Sequence, residues 1–245
     1  MDAVDKYIPH LIELRKRLLR CSLVFLIVLF PLIIYSSELY TLVAQPILNT
    51  LPTGSMLIAT QVVTPFTAPI KLALFLSAIL LVPYFLYHAW SFVKPGLYKN
   101  EKRALFPLLF FSTLLFYVGM AFAHFLVCPA ALSFFSHVAP KGVTVMTDMT
   151  HYLDFVLVLY FAFGFSFQVP IITFLLIRVG ITSVESLKKQ RPYIIVGAFV
   201  VGMILTPPDV VSQCLLAIPL LGLFEGGLLM AKWLIPAKKD LIVTK

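Results

Sequence analysis

The chain has 245 residues, of which 60% are hydrophobic and only 12% are charged, and its mean hydropathy is +0.98. Soluble globular domains use charged residues about twice as often, so water is excluded as the main solvent of this chain. The net charge of +8 does not indicate nucleic-acid binding, because the basic residues form short clusters beside apolar runs rather than one stripe.

Six apolar segments follow one another along the chain, and each predicts a membrane-spanning helix. They lie at residues 21–39, 70–92, 104–128, 152–177, 192–206 and 211–233. The fifth gives only about 22 Å of helix against a hydrocarbon core of about 30 Å, so we expect the bilayer to thin there. The sequence therefore predicts an all-α, polytopic membrane protein, a single transmembrane domain over residues 1–245, with short fifth and sixth helices.

The basic residues predict the orientation of these helices. Of the 19 Lys and Arg residues, all but Lys71 and Lys141 fall on the cytoplasmic side if both termini are cytoplasmic. The first apolar run has no small-residue cleavage site behind its basic flank, so we expect it to be retained rather than removed as a signal peptide. The predicted cytoplasmic segments are 1–20, 93–103, 178–191 and 234–245.

Prolines within or at the ends of the spans predict a curved bundle of bent helices, because each proline removes a backbone hydrogen bond. On the outer side, the apolar stretches 39–48 and 130–138 predict helices lying at the membrane interface. The last outer connection is the tight turn Pro207-Pro208-Asp209. The prolines of the spans are Pro31, Pro83, Pro107, Pro170 and Pro219.

Polar residues are few within the predicted spans, where each is energetically expensive. Asp154 opens the fourth span, Glu225 lies in the inner half of the sixth, and Gln168 lies near mid-depth. The isolated His88 and His124 predict hydrogen-bonded interfacial side chains rather than ligands. We expect no proton relay across the membrane.

Motifs for metal, nucleotide and hydrolase chemistry are absent from the sequence. Cys21, Cys128 and Cys214 lack the paired spacing of zinc or redox sites and predict buried free thiols. We therefore expect no cofactor, no metal and no catalytic residue.

Two lone carboxylates at the cytoplasmic ends of the spans stand among cations. Glu13 lies in the stretch 10–17 and Glu101 in the stretch 95–103. One interpretation is structural: Glu13 pairs with Arg17 four residues later and Glu101 with its own neighbours, each pair contributing a few tenths of a kcal/mol. The other is that both carboxylates receive a cationic ligand, such as a peptide whose arginine forks suit carboxylates. The residues alone leave both interpretations open.

A series of motifs extends from residue 10 to residue 225. They are His10-Leu11-x-Glu13-Leu14-Arg15-x-Arg17, Phe92-x-x-Pro95-Gly96-Leu97-Tyr98, Glu101-Lys102-Arg103, Phe116-Tyr117-x-Gly119-x-Ala121-Phe122, Phe163-Gly164-x-x-Phe167-Gln168-x-Pro170, Gly180-Ile181, Arg191-Pro192-Tyr193 and Leu205-Thr206-Pro207-Pro208-Asp209-x-x-Ser212-Gln213, followed by Pro219 and Glu225. In these motifs the chain resembles TatC, the multi-spanning subunit of the twin-arginine protein translocase, over nearly its whole length.

The resemblance implies six helices in a cupped, concave arrangement in the bacterial inner membrane. It implies a non-enzymatic receptor for twin-arginine signal peptides of proteins exported already folded, with energy supplied by the proton gradient. Glu13 and Glu101 match the carboxylates that recognise the arginine pair in that family. The surrounding residues that would complete this site are Leu14, Arg15, Arg17, Phe92, Pro95, Leu97, Tyr98 and Arg103.

The family's partners are the single-span subunits TatA and TatB, whose helices pack beside the fifth and sixth spans, and the receptor complex also implies self-association. Met203, Thr206 and Gln213 match the polar cluster there, and such groups can hydrogen-bond a partner helix. Alternatively, Thr206 and Gln213 only cap the following turn. Pro46, Pro207, Pro208 and Asp209 are expected to shape the outer loops.

One position departs from the family pattern: many members have a glutamate in the fourth span where this chain has Gln168. An obligatory protonation there is therefore not expected, and the amide is interpreted as structural or partner-binding. Asp154 is a candidate helix N-terminal charge. Two other functions predict different features: a small-solute transporter predicts a repeated half with polar or charged residues near mid-membrane, and a membrane enzyme predicts a clustered metal or nucleophile site.

Overall fold

Helices make up nearly all of the described chain. The computed structural model describes residues 2–48, 57–93, 105–138, 147–205 and 210–234. Two-residue strands β1 (Leu57–Ile58) and β2 (Thr147–Asp148) pair in parallel. The all-α prediction is confirmed, although the sequence did not predict this short pair. The helices are α1 (Asp2–Ile34), α2 (Ser36–Leu48), α3 (Thr64–Leu80), α4 (Val82–Val93), α5 (Leu105–Phe122), a π-helical turn (Ala123–Val127), α6 (Cys128–Val138), α7 (Met149–Ser166), α8 (Val169–Arg178), α9 (Val184–Lys189), α10 (Arg191–Leu205) and α11 (Val210–Leu234).

Helices occur at all six predicted segments, and several are long enough to cross a membrane. Four continuous or nearly continuous stretches among the described residues have the required length and apolarity: Ile12–Ile34, Phe106–Phe134, Met149–Arg178 and Gln213–Trp233. A fifth is the pair α3 and α4, if the two count as one bent span. A polytopic membrane protein is therefore confirmed, while the count of six spans stays a prediction.

Two interruptions of helices lie just ahead of prolines. The axes of α3 and α4 differ by 50° at Leu81, two residues before Pro83. The helix of the fourth predicted span breaks between α7 and α8 at Phe167 and Gln168, just before Pro170. A proline ring clashes with the carbonyl four residues earlier, so the chain bends immediately ahead of it.

The fifth and sixth predicted spans differ in length. α10 has 15 residues and is short, as expected. The expectation that the sixth helix is short is wrong, because α11 has 25 residues, or about 37 Å. Pro219 lies inside α11 without ending it. Membrane helices commonly tolerate such a proline, because neighbouring helices and side chains satisfy the backbone groups that it leaves unbonded.

Two compact units make up the chain. The first contains residues 1–113 and 132–158, and the second contains residues 114–131 and 159–245. In the first unit, a buried cluster of Ala68, Leu72 and Leu153 joins α3 to the start of α7. In the second, α11 packs on α8 at Gly227, where an added Cβ would lie only 2.8 Å from Pro170 Cα. Only glycine fits that close helix approach.

Candidate functional site

Glu13 and Arg17 form an ion pair on one face of α1. Because residues four apart on a helix are neighbours, the Arg17 fork reaches the carboxylate from the next turn. Nε and Nη2 of Arg17 lie 3.0 and 2.5 Å from Glu13 Oε1. The side chain of Glu13 is 40% exposed, whereas that of Arg17 is 19% exposed. The pair predicted by the structural interpretation is therefore present, and the Glu13 side chain remains partly exposed.

The same guanidinium also binds the end of α4, which is far away in sequence. Nη1 of Arg17 donates to the carbonyl of His88 at 3.1 Å, and Nη2 lies 3.5 Å from the carbonyl of Ser91. The Ser91 carbonyl belongs to the last turn of α4, where carbonyls carry partial negative charge and lack intrahelical partners, and the His88 carbonyl lies about one turn earlier, so a cation is favourable there. Arg17 thus ties α1 to the C-terminal end of α4.

The other predicted peptide-binding residues divide into described and undescribed ones. Leu14 and Arg15 are exposed on α1, and Phe92 is half-buried near the end of α4. The structure therefore brings the Glu13–Arg17 pair to the same helix end that carries Phe92. Pro95, Leu97, Tyr98, Glu101 and Arg103 lie outside the described residues.

The predicted partner-contact residues lie in the α10–α11 hairpin. Met203 is 56% exposed. The Gln213 side chain donates from Nε2 to the carbonyl of Phe199 at 2.8 Å, so its amide is used between the two helices. Gly202 permits this approach, since an added Cβ there would lie 3.1 Å from Gln213 Cγ. Thr206, Pro207, Pro208 and Asp209 lie outside the described residues, and Pro46 is described only as part of the α2 backbone.

Each polar group within the predicted spans has a defined environment. Gln168 is only 5% exposed and stands at the break before α8, which favours the structural interpretation of this amide. Asp154 lies beyond the first turn of α7, so the idea of a helix N-terminal charge is wrong; instead Lys71 Nζ lies 2.9 and 2.8 Å from its two oxygens. Glu225 pairs with Arg191 at 2.6 Å, joining α11 to the start of α10.

Asp148 is a structural residue of the predicted outer loops that sequence reasoning missed. One oxygen caps α7 by accepting from the amides of Thr150 and His151 at 2.8 and 3.0 Å. The other accepts from the amide and hydroxyl of Thr60, at the end of the loop that contains β1. The Thr60 hydroxyl bond, followed by the backbone bonds, lowers the pKa of Asp148 well below its ordinary value. An aspartate just before a helical run was the available signal.

The histidines and cysteines offer no metal or catalytic centre within the described ranges. His124 Nδ1 lies 2.6 Å from the Tyr160 hydroxyl, as predicted for a hydrogen-bonded histidine. His88 differs, because its ring packs edge-on against Tyr84 and its Nδ1 is buried without a partner among the described residues. The three cysteines are free and Cys128 is buried, but the prediction of buried thiols is wrong for Cys21 and Cys214, which are half-buried. No group of three metal-ligating side chains occurs in the described part of the chain.

The amino-acid sequence of this chain matches a known protein family. The model of the family described as Sec-independent protein translocase protein (TatC) matches residues 9–219. The chain belongs to the TatC family. The resemblance inferred from the sequence motifs is thereby confirmed.

Curated TatC relatives match along most of the chain. The protein of Haemophilus influenzae is 51% identical over 236 residues, covering 96% of this chain and 92% of the relative. That of Escherichia coli K12 is 52% identical over 233 residues, covering 95% and 90%. That of Azotobacter chroococcum is 54% identical over 220 residues, covering 90% and 86%. All three are named Sec-independent protein translocase protein TatC.

Two crystal structures described as the twin arginine translocase receptor TatC share this fold. The first has a TM-score of 0.82 and 39% identity, covering 91% of this chain and 98% of the matched chain. The second, in the detergent DDM, has a TM-score of 0.83 and 39% identity, covering 91% and 99%. Membership of the TatC family makes this chain a protein-translocase component, a transport protein rather than an enzyme. The predicted bacterial inner-membrane location is confirmed as well.

Proposed function

We propose that this chain is the core receptor of a twin-arginine translocation system and binds the arginine pair of signal peptides at its cytoplasmic face. The observation that carries the proposal is the Glu13 carboxylate on α1, beside Arg17, which binds the C-terminal end of α4. Both bonds from Arg17 end on Oε1, and among the described residues Oε2 accepts no hydrogen bond. An exposed oxygen edge of this kind suits an incoming guanidinium, which makes short, charge-assisted bonds to carboxylates.

Glu101 supplies the second carboxylate of the proposed site, by its match to the family motif. A guanidinium presents its donors as a rigid planar fork, whereas a lysine ammonium is a point charge. Two carboxylates at the cytoplasmic face therefore favour a pair of arginines over a pair of lysines. Leu14 and Phe92 would contact the apolar part of the peptide, and the site is completed by Arg15, Pro95, Leu97, Tyr98 and Arg103.

The proposed topology has six spans with both termini in the cytoplasm. The apolar helix α10 would form the fifth span, reaching about 22 Å. The placement of nearly all Lys and Arg residues on the inner side supports this count. The single domain over residues 1–245 and its concave shape belong to the same proposal.

The proposed partners are the single-span subunits TatA and TatB, packed beside the fifth and sixth spans. An apolar stripe on α10 supports this, since Tyr193, Val196, Val200 and Ile204 are exposed at helical spacing together with Met203. Helices in lipid associate through close packing and a few hydrogen bonds. Self-association in the receptor complex and drive by the proton gradient complete the proposal.

Site-specific photocrosslinking in native membranes tests the receptor function. Probes at positions 13 and 101 are expected to crosslink a precursor with two arginines, and a precursor with two lysines serves as the control. Val62, which is 99% exposed in the outer loop, provides a control probe position on the opposite side. Equal crosslinking of both precursors at positions 13 and 101, or none, would return these carboxylates to ordinary interfacial ion pairs.

A further inference from the structure

Arg17 differs from the other cations of the α1 basic cluster in how its side chain is used. Arg15, Lys16 and Arg20 are exposed, and none of them makes a hydrogen bond to another described residue. Arg17 is largely buried and directs all three of its guanidinium nitrogens to partners within the chain. A direct contact between Arg17 and a peptide, as implied by the family resemblance, would require these bonds to break.

The hydrogen bonds of Arg17 hold both the Glu13 side chain and the end of α4. On one side, Nε and Nη2 hold Glu13 by Oε1 alone. On the other side, Nη1 and Nη2 reach the carbonyls of His88 and Ser91 in the last two turns of α4. The planar guanidinium spans both sets of acceptors, which a single lysine nitrogen cannot do.

We infer that Arg17 is a positioning residue, which presents the Glu13 carboxylate to the peptide and does not itself bind the peptide. This inference rests on the proposed receptor function. With Oε1 held by Arg17, the Oε2 edge of Glu13 is the acceptor for the incoming arginine. An ionised carboxylate has about four lone-pair sites, so it can accept from two guanidinium groups. The positive charge of Arg17 is offset by Glu13 and by the α4 carbonyls, which limits its repulsion of the ligand.

The expected loss of peptide affinity follows from the cost of ordering the Glu13 side chain, which Arg17 holds in place before the peptide binds. Without Arg17, the Glu13 side chain must be ordered when the peptide binds, which weakens binding by about three- to tenfold. Because Arg17 acts through Glu13, that loss should vanish when Glu13 has already been replaced. A residue that contacts the peptide itself, or that only stabilises the fold, would show its loss in either background.

A double-mutant cycle on the full chain, purified and placed in lipid nanodiscs, tests the inference. The affinity for a labelled twin-arginine signal peptide is measured for the parent chain, Glu13→Gln, Arg17→Lys and the double variant. We expect Glu13→Gln to lose at least about tenfold. Arg17→Lys should lose three- to tenfold in the parent chain and nothing further beside Glu13→Gln. Arg20→Lys, on the same helix, is the matched control and should bind like the parent.

The outcomes separate the inference from the function on which it rests. If Glu13→Gln binds as the parent does, the receptor site at Glu13 fails. If Glu13→Gln loses affinity but Arg17→Lys has no effect, or loses equally in both backgrounds, only the positioning role fails. Hydrogen exchange of the α4 amides at residues 89–93 is a measurement without peptide. Arg17→Lys should speed it at least threefold and Arg20→Lys should not; unchanged exchange would overturn the link to α4.

Discussion

Replacing Gly227 by alanine is expected to loosen the packing of α11 on α8. The new Cβ would lie 2.8 Å from Pro170 Cα and 3.2 Å from Thr173 Cβ. The nearest atom is backbone and cannot rotate away, so the helices must separate by about 0.6 Å to restore an ordinary contact of 3.4 Å. Overpacking of this kind costs about 1–3 kcal/mol. Replacing a helical glycine by alanine offsets up to about 1 kcal/mol of that cost.

With the full offset, Gly227→Ala loses up to about 2 kcal/mol, a fall in Tm of up to about 8 °C for a chain of this size, and it should be about 1–3 kcal/mol less stable than Gly226→Ala, which gains the same offset without the clash. Thermal unfolding of the detergent-purified protein, followed by tryptophan fluorescence, measures it. Gly226 is the matched control, since it is the adjacent residue of the same helix and its added Cβ would meet nothing within 4 Å. Gly226→Ala should melt at or above the parent temperature. If Gly227→Ala has the same Tm as Gly226→Ala, the close approach of α8 and α11 is refuted.

Two further predictions concern the outer part of the first unit. Lys71→Gln and Asp154→Asn should each lower Tm by leaving one charge unpaired in a predicted span, and the double variant should recover most of the loss. A double variant less stable than both single variants would contradict this. Because hydrogen bonds from Thr60 and the start of α7 lower the pKa of Asp148, their stabilisation is complete at neutral pH and is lost as the pH falls below about 4. The hydrogen-exchange rates of the Thr60 and Thr150 amides, corrected for the pH dependence of intrinsic exchange, should therefore rise below about pH 4 in the parent chain. Asp148→Asn should remove that pH dependence.

Local patterns in the sequence were sufficient to predict the helices, their orientation and the contacts within a single helix. Insertion of a segment depends on its own apolar length, and its orientation depends on the flanking Lys and Arg residues. These two features therefore predict helices and orientation without knowledge of packing. The Glu13–Arg17 pair is equally local, because the helical repeat alone places residues four apart side by side. The bend ahead of Pro83 and the helix break ahead of Pro170 follow from the chemistry of the proline ring itself.

Contacts between distant segments were decided by the tertiary structure. No local pattern joins Arg17 to the α4 carbonyls, Lys71 to Asp154 or Asp148 to Thr60, since these partners are 71 or more residues apart. Whether such groups meet depends on how closely two helices approach, which small residues such as Gly202 and Gly227 set. The same reason explains why Gln213 could be singled out as polar but not assigned to the Phe199 carbonyl. Hydropathy determines which segments enter the membrane, and side-chain packing determines which of their polar groups become partners.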